Sequence, residues 1–186
     1  MQNNVDNTIN NEYNILNKKF LHTGGIYMYY ISYGSNMNLR QMKWRCPNTK
    51  VYGNGKIQGW KLVFNYHADI IETGKSDDFV PVVVWKLTNK KDMENLDIYE
   101  GYPNYYTKIM TDVIMDTGET LKAMVYVMTD DRKGIYPPSL DYYNVIKEGY
   151  TANNIKLDAL YAAVKHCINA NNITEFNQYN PKRKKG

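Results

Sequence analysis

The sequence predicts an α+β fold. Aromatic and β-branched runs of strand length crowd the stretch from Ile26 to Met128, and helical periodicity takes over after Pro138. The length of 186 residues sets the scale, one ordinary domain with room for tails.

Each element has a local reason. Seven of the first seventeen residues are Asn, and no apolar period runs through 1–27. Only Tyr13-Asn14-Ile15-Leu16 could dock, so this segment is expected to be a disordered or loosely attached extension. Gly24-Gly25-Ile26-Tyr27-Met28 can be encoded with a GGAGG ribosome-binding site just upstream of an ATG, and the expectation is that translation starts at Met28. Residues 28–170 form the expected domain, and 171–186 a polar, basic tail.

Ile26 to Tyr33 reads as a strand that ends at the turn Gly34-Ser35-Asn36. Asn38 can cap a short helix through Leu39, Met42 and Lys43, stopped before Pro47. Val51 to His67 reads as strand, turn and strand, broken at Gly53–Gly55 and Gly59, and Thr73–Asp78 as a loop. Val80 to Leu87 is almost wholly apolar, a buried central strand that tolerates Pro81 near its start. Asn89 to Tyr99 is a helix with Met93, Leu96 and, at its end, Tyr99 as candidates for the inner face, ended by Gly101 and Pro103. Thr107–Met115 and Leu121–Met128 form a hairpin across Asp116-Thr117-Gly118-Glu119. Pro137-Pro138-Ser139 opens a helix that ends at Gly149. Leu157 to Ala170 repeats its apolar residues at helical spacing.

Composition excludes several function classes. No run of eighteen apolar residues occurs, and the chain does not open like a secretory signal. Cys46 and Cys167 are too few for a disulfide scaffold and form no C-x-x-C pair, so a reduced, cytoplasmic protein without membrane contact is expected. The abundance of Tyr, 18 against 4 Phe, goes with much Asn, Ile and Lys and reflects AT-rich codons before function. The four basic residues of 182–185 account for the whole net charge of +4. The body of the chain is therefore neutral and lacks the basic stripe of a nucleic-acid binder. No P-loop, dinucleotide-binding glycine motif or G-x-S-x-G elbow is present. His22, His67 and His166 have no His or Cys partner at ligand spacing, so no metal site is expected.

Three features could carry chemistry, and each also has an ordinary explanation. Tyr30-Ile31-Ser32-Tyr33-Gly34-Ser35-Asn36 runs a strand into a Gly-Ser turn, where backbone N–H groups can meet an anionic oxygen; it could equally be a plain strand-to-helix connection. Glu100 closes a helix directly before Gly101, an unfavourable end of the macrodipole for a carboxylate; it could equally be solvated. Tyr142 sits one turn into the helix after Pro138-Ser139, a position that also suits core packing.

The ordered set Tyr33-Gly34-Ser35-Asn36, Asp97-x-x-Glu100-Gly101 and Pro138-Ser139-x-x-Tyr142 resembles the γ-glutamylcyclotransferase, or AIG2-like, family. Val80-Pro81-Val82-Val83-Val84-Trp85 resembles its strand before the catalytic helix. Glu100-Gly101-Tyr102-Pro103-Asn104-Tyr105-Tyr106, Ala123 to Met128 and Ile146 to Tyr150 look like its bacterial members. The resemblance spans about residues 28–165. Met37 departs from the usual Leu, and Val82 from a Gly of some relatives.

The resemblance implies a compact mixed β-barrel with surrounding helices. It implies Glu100 as catalytic acid/base, a γ-glutamyl pocket lined by Tyr30, Ile31, Ser32, Tyr33, Gly34, Ser35 and Asn36, and Tyr142 closing it. The partner implied is a small γ-glutamyl amide whose α-amine attacks its own γ-carbonyl, forming 5-oxoproline. Nucleophile and electrophile share one molecule, so no cofactor and no enzyme nucleophile is needed. Two neighbouring readings keep the pocket: a relative acting on γ-glutamyl amines or removing a γ-glutamyl protecting group, and a non-enzymatic binder whose basic tail touches nucleic acid.

Overall fold

The structure is a computed structural model that describes residues 27–173. The expected N-terminal extension, apart from Tyr27, and the basic end of the C-terminal tail lie outside the described residues.

Five strands close a barrel in the order β1-β5-β2-β6-β7: β1 is Met28–Ser32, β2 Lys50–Gln58, β5 Phe79–Leu87, β6 Tyr106–Met115 and β7 Thr120–Met128. Neighbours run antiparallel, except that β1 meets β7 in parallel through Tyr30↔Met124 and Ile31↔Val125. That parallel seam closes the barrel and removes its open edge. β3 (Trp60–Asn65) and β4 (His67–Glu72) form a separate two-stranded ribbon. Among the described residues four α-helices pack around these sheets: α1 Leu39–Arg45, α2 Lys90–Glu100, α3 Leu140–Ala152 and α4 Asp158–Ala170. None of the described helices is long and apolar enough to cross a membrane.

The sheet is buried on both faces. Ile31, Val82, Val84 and Val125 share one face and Leu87 and Met124 the other, and all six are wholly buried. The run from Val80 to Trp85 is buried at all but Pro81 because β5 is central, paired on both sides by β1 and β2. Met37, Met42, Leu96 and Ile146 extend the core outward under the helices.

The α+β class and the mixed barrel with surrounding helices are as expected, with corrections to three elements. β2 runs unbroken through Gly53–Gly55, where the sequence predicts a turn. A Cβ on Gly55 would stand 2.6 Å from the Ile114 carbonyl oxygen, so the glycine allows strand β6 to approach instead of reversing the chain. A bulge between Val51 and Gly53 bends the strand there. The chain reverses later, at Tyr66, so His67 begins a strand of its own and does not end one. Gly149, the predicted stop of α3, lies inside that helix, which continues to Ala152. Its missing side chain lets α3 press on the backbone of Met37 and Asn38, where a Cβ would come within 2.8 Å of the Asn38 nitrogen.

Candidate active site

A cleft of about 400 Å³ opens where the end of β1, the end of α2 and the start of α3 converge. Tyr30, Tyr33, Gly34, Ser35, Asn36, Glu100 and Tyr142 all line it, although the sequence spreads them over more than a hundred positions.

Local chemistry sets each wall. β1 runs out after Ser32 and a single 3₁₀ turn, Ser35–Met37, follows; Gly34 at its start receives no side-chain cap. The next residue, Asn38, begins α1 by accepting from the Arg40 and Gln41 N–H groups, as its sequence position predicts. α3 clamps the turn from behind: Asn153 Nδ2 donates to the Met37 carbonyl at 2.9 Å, and Asn38 Nδ2 donates to that of Val145 at 3.2 Å. The same helix carries Tyr142 at its N-terminus, where Ser139 Oγ caps the Tyr142 N–H. Tyr142 Oη accepts from the Ala68 N–H at 3.3 Å, spanning from α3 to the β3–β4 ribbon.

Helix α2 begins at an Asn89 cap and ends at Gly101, whose φ of 65° is the left-handed conformation that favours glycine. Glu100, the final helical residue, is thereby aimed at the cleft. Its Oε1 accepts from Asn36 Nδ2 at 2.6 Å, and the same amide donates to Tyr30 Oη at 2.6 Å.

Glu100 is the one carboxyl among the described residues lining the cleft. Burial pushes its pKa up to about 7; Arg45 and the Asn36 hydrogen bond pull it down, and the carboxylate of Asp97, one turn earlier on α2, pushes it up again. Desolvation is the largest of these effects and decides the sign. The hydroxyls of Tyr30, Tyr33, Tyr106, Tyr126 and Tyr142 are also driven well above their ordinary range, by burial first in every case. They are therefore neutral hydrogen-bonding groups at physiological pH, and none of the five can act as a base there. Asp97 accepts from Lys108 Nζ and from Tyr126 Oη, each at 2.5 Å, so its charge is held just outside the cleft.

Two positions of the expected pocket are corrected. Ile31 is wholly buried in the hydrophobic core. Ser32 Oγ donates to the Val83 carbonyl at 3.1 Å and accepts from Trp85 Nε1 at 2.9 Å, which ties it to β5. Neither lines the cleft. Strand alternation turns Ile31 away from the face of Tyr30; Ser32 shares that face, and its bonds to β5 take it up.

Other cleft residues have no local signal in the sequence. His67, Ala68, Tyr105 and Tyr106 arrive from β4, the α2–β6 turn and β6. His67 Nδ1 lies 3.0 Å from Tyr105 Oη, and its ring stands edge-on to Tyr142. Arg45, below the cleft, carries one readable hint: it sits three residues after the core residue Met42, on the buried side of α1. Among the described residues no group of three or more His, Cys, Asp or Glu side chains could hold a metal ion.

A mixed barrel beside a cleft that holds a single carboxyl among its described lining residues has the architecture of a small-molecule enzyme. Residues 30–145 match the family described as "Gamma-glutamyl cyclotransferase, AIG2-like", and the chain belongs to that family, as an enzyme of this type. It is 31% identical over 140 residues to the γ-glutamylcyclotransferase of Bos taurus, covering 69% of this chain and 73% of the bovine one. It is 29% identical over 119 residues to a putative γ-glutamylcyclotransferase of Methanocaldococcus jannaschii, covering 61% of this chain and 94% of that protein. A solved structure titled "Gamma-glutamyl cyclotransferase" superposes with a TM-score of 0.63 at 26% identity, covering 83% of this chain and 91% of that one.

Proposed function

We propose that this chain cyclises the γ-glutamyl group of a small γ-glutamyl amide to 5-oxoproline, with Glu100 carrying the proton. The observation that supports this most is a carboxyl with a pKa of about 7 facing the cleft and held by Asn36.

The α-nitrogen of the substrate arrives as an ammonium, which cannot attack. Glu100 as carboxylate takes one proton from it. The freed lone pair attacks the γ-carbonyl carbon, closing a five-membered ring and leaving negative charge on the γ-oxygen. The C–N bond to the leaving group then breaks as Glu100 returns the proton to that nitrogen. The second proton, left on the ring nitrogen by the attack, passes to the released amine, so the lactam keeps one N–H and the amine departs as an ammonium. The carboxyl ends as it began, and no other reactant is consumed.

Matching pKa values makes this transfer feasible. An ordinary Glu at about 4.3 lies roughly 3.5 units below an α-amine at about 7.7–8.0, a mismatch of about 5 kcal/mol. With Glu100 near 7 the mismatch falls to about 1 kcal/mol. Holding the amine against its carbonyl adds to this, since good intramolecular orientation is worth roughly 7–11 kcal/mol of barrier. The uncapped turn at Gly34 and Ser35 offers backbone N–H groups for the γ-oxygen or the α-carboxylate.

The test is 5-oxoproline release by purified protein from a panel of γ-glutamyl dipeptides and γ-glutamyl amines. Release from either set supports cyclisation and identifies the leaving group; no release from any member, at pH 6 to 9, counts against it.

A further inference from the structure

We infer that Arg45 is a positioning residue for this reaction, fixing through Asn36 which way the amide faces Glu100 and fastening the substrate turn to helix α2. The inference rests on the reading of Glu100 as acid/base.

Asn36 has three hydrogen-bonding jobs, and only one orientation of its amide does all three. Nδ2 donates to Glu100 Oε1 and to Tyr30 Oη, while Oδ1 accepts from Arg45 Nη1. An amide can rotate by half a turn at little steric cost. Rotated, it would turn a carbonyl oxygen toward the Glu100 carboxylate, which repels the charged form. The Arg45 guanidinium forbids this, because facing it with an NH2 group would set donor against donor.

The same guanidinium ties two elements together. It donates to Ser35 Oγ at 3.3 Å and to Tyr99 Oη at 2.6 Å, and it stacks 3.5 Å from the centre of the Tyr99 ring. Ser35 Oγ and Tyr99 Oη are themselves 3.2 Å apart. Gln41, one turn earlier on α1, holds the other side of the fork through Nη2. The residues next to Glu100 on α2 and next to Asn36 on the turn are thus joined by one planar group.

Stability alone does not account for this residue. Arg45 is 9% exposed, and its buried Nε has no hydrogen-bond partner among the described residues. Burying a charge with an orphaned donor is costly, and well-packed apolar replacements of buried ion clusters are often neutral or stabilising. Arg45 also lies outside the cleft lining, so it acts through Asn36, Ser35 and Tyr99 and not on substrate.

The test compares native protein with Arg45→Met, Arg45→Gln and Arg45→Lys. Infrared difference titration follows the Glu100 carboxyl, the band being assigned by its loss in Glu100→Gln. Turnover is followed as 5-oxoproline release from whichever γ-glutamyl dipeptide or amine the native protein accepts. In Arg45→Met the carboxyl titration should move up by roughly one pH unit, the low end for removal of a nearby opposite charge. Arg45→Gln, a smaller and hydrogen-bonding change, serves if the Met variant does not fold. Arg45→Lys keeps the charge but not the fork, so its titration should stay near the native one while kcat falls by about tenfold or more and KM changes less. A folded neutral variant with an unmoved titration and native kcat overturns the inference. So does full rescue of kcat by Lys, which would leave charge alone as the role. If no titrating band near neutrality disappears in Glu100→Gln, the reading of Glu100 itself fails, an outcome distinct from an unmoved band.

Discussion

Replacing Glu100 by Gln separates catalysis from stability because the two respond in opposite directions. Gln is nearly isosteric, and its side-chain oxygen can still accept from Asn36 Nδ2, the bond that holds Glu100 at 2.6 Å. What is lost is the proton carrier. Turnover should fall by at least about 10²-fold, the lower end of acid–base catalysis. The native protein, meanwhile, carries a burden the variant lacks. The Glu100 carboxyl titrates at about 7 when folded, raised by burial, and at about 4.3 in an unfolded chain. Below about pH 4 it is protonated in both states and has no differential effect. As pH rises from about 4.3 toward 7, the unfolded chain releases a proton that the folded protein retains, so native stability falls. The loss is complete above about pH 7 and amounts to at most about 4 kcal/mol, an upper bound because the residue is only half-buried. Glu100→Gln does not titrate. The gap between the variant's Tm and the native Tm should therefore widen across this window, by up to roughly 8–16 °C at about 2–4 °C per kcal/mol. Calorimetry at pH 4, 5, 6, 7 and 8 on both proteins measures it, and all other titrating groups cancel in the difference. Near-normal turnover in the variant would refute the catalytic assignment. A Tm gap that does not change with pH would refute the elevated pKa.

Three further outcomes are expected. Gly34→Val should raise KM sharply or abolish binding, measured by initial rates over a wide substrate range, because the first added carbon would already stand 3.0 Å from Ala68 Cβ and 3.4 Å from Tyr142 Oη; unchanged KM would mean the turn only connects. The reason is crowding and not backbone strain, since φ at Gly34 is −117°. Tyr142→Phe removes the acceptor for the Ala68 N–H and should cost roughly 0.5–1.5 kcal/mol, read as a modest fall in kcat/KM or Tm. Gly149→Ala would force a methyl within 2.9 Å of the Met37 carbonyl carbon, so Tm should fall by the equivalent of about 1–3 kcal/mol, with KM rising as the substrate turn shifts.

Much of the site is legible along the chain because its parts are local. Asn38 and Asn89 cap their helices, Gly101 ends α2, and those caps alone put Glu100 at a helix end with its side chain leaving the helix toward whatever lies beyond. The apolar runs of β5 and β7 and the alternating pattern of β6 are equally local, since one strand's pattern records which of its faces is buried. The glycines are where such reading goes astray. Gly55 and Gly149 look like stops, yet both mark a distant backbone pressing in, of β6 in one case and of the Met37–Asn38 turn in the other. A missing Cβ looks the same in a sequence whether it frees a turn or makes room for a neighbour.

Local pattern along the chain supplies an inventory: an α+β chain, an acid at the end of one helix, a Gly-Ser turn after one strand, and a Tyr at the start of another helix. Packing brings these together, leaves Ile31 and Ser32 outside the cleft lining, and sets Arg45, His67 and Tyr105 in the neighbourhood. It also decides the chemistry of Glu100. A carboxyl's pKa depends on how much water is removed from around it and which charges remain, and both are set by residues far away in the chain. Helix and strand periods report burial one element at a time, whereas desolvation of a cleft is produced by all of its walls together.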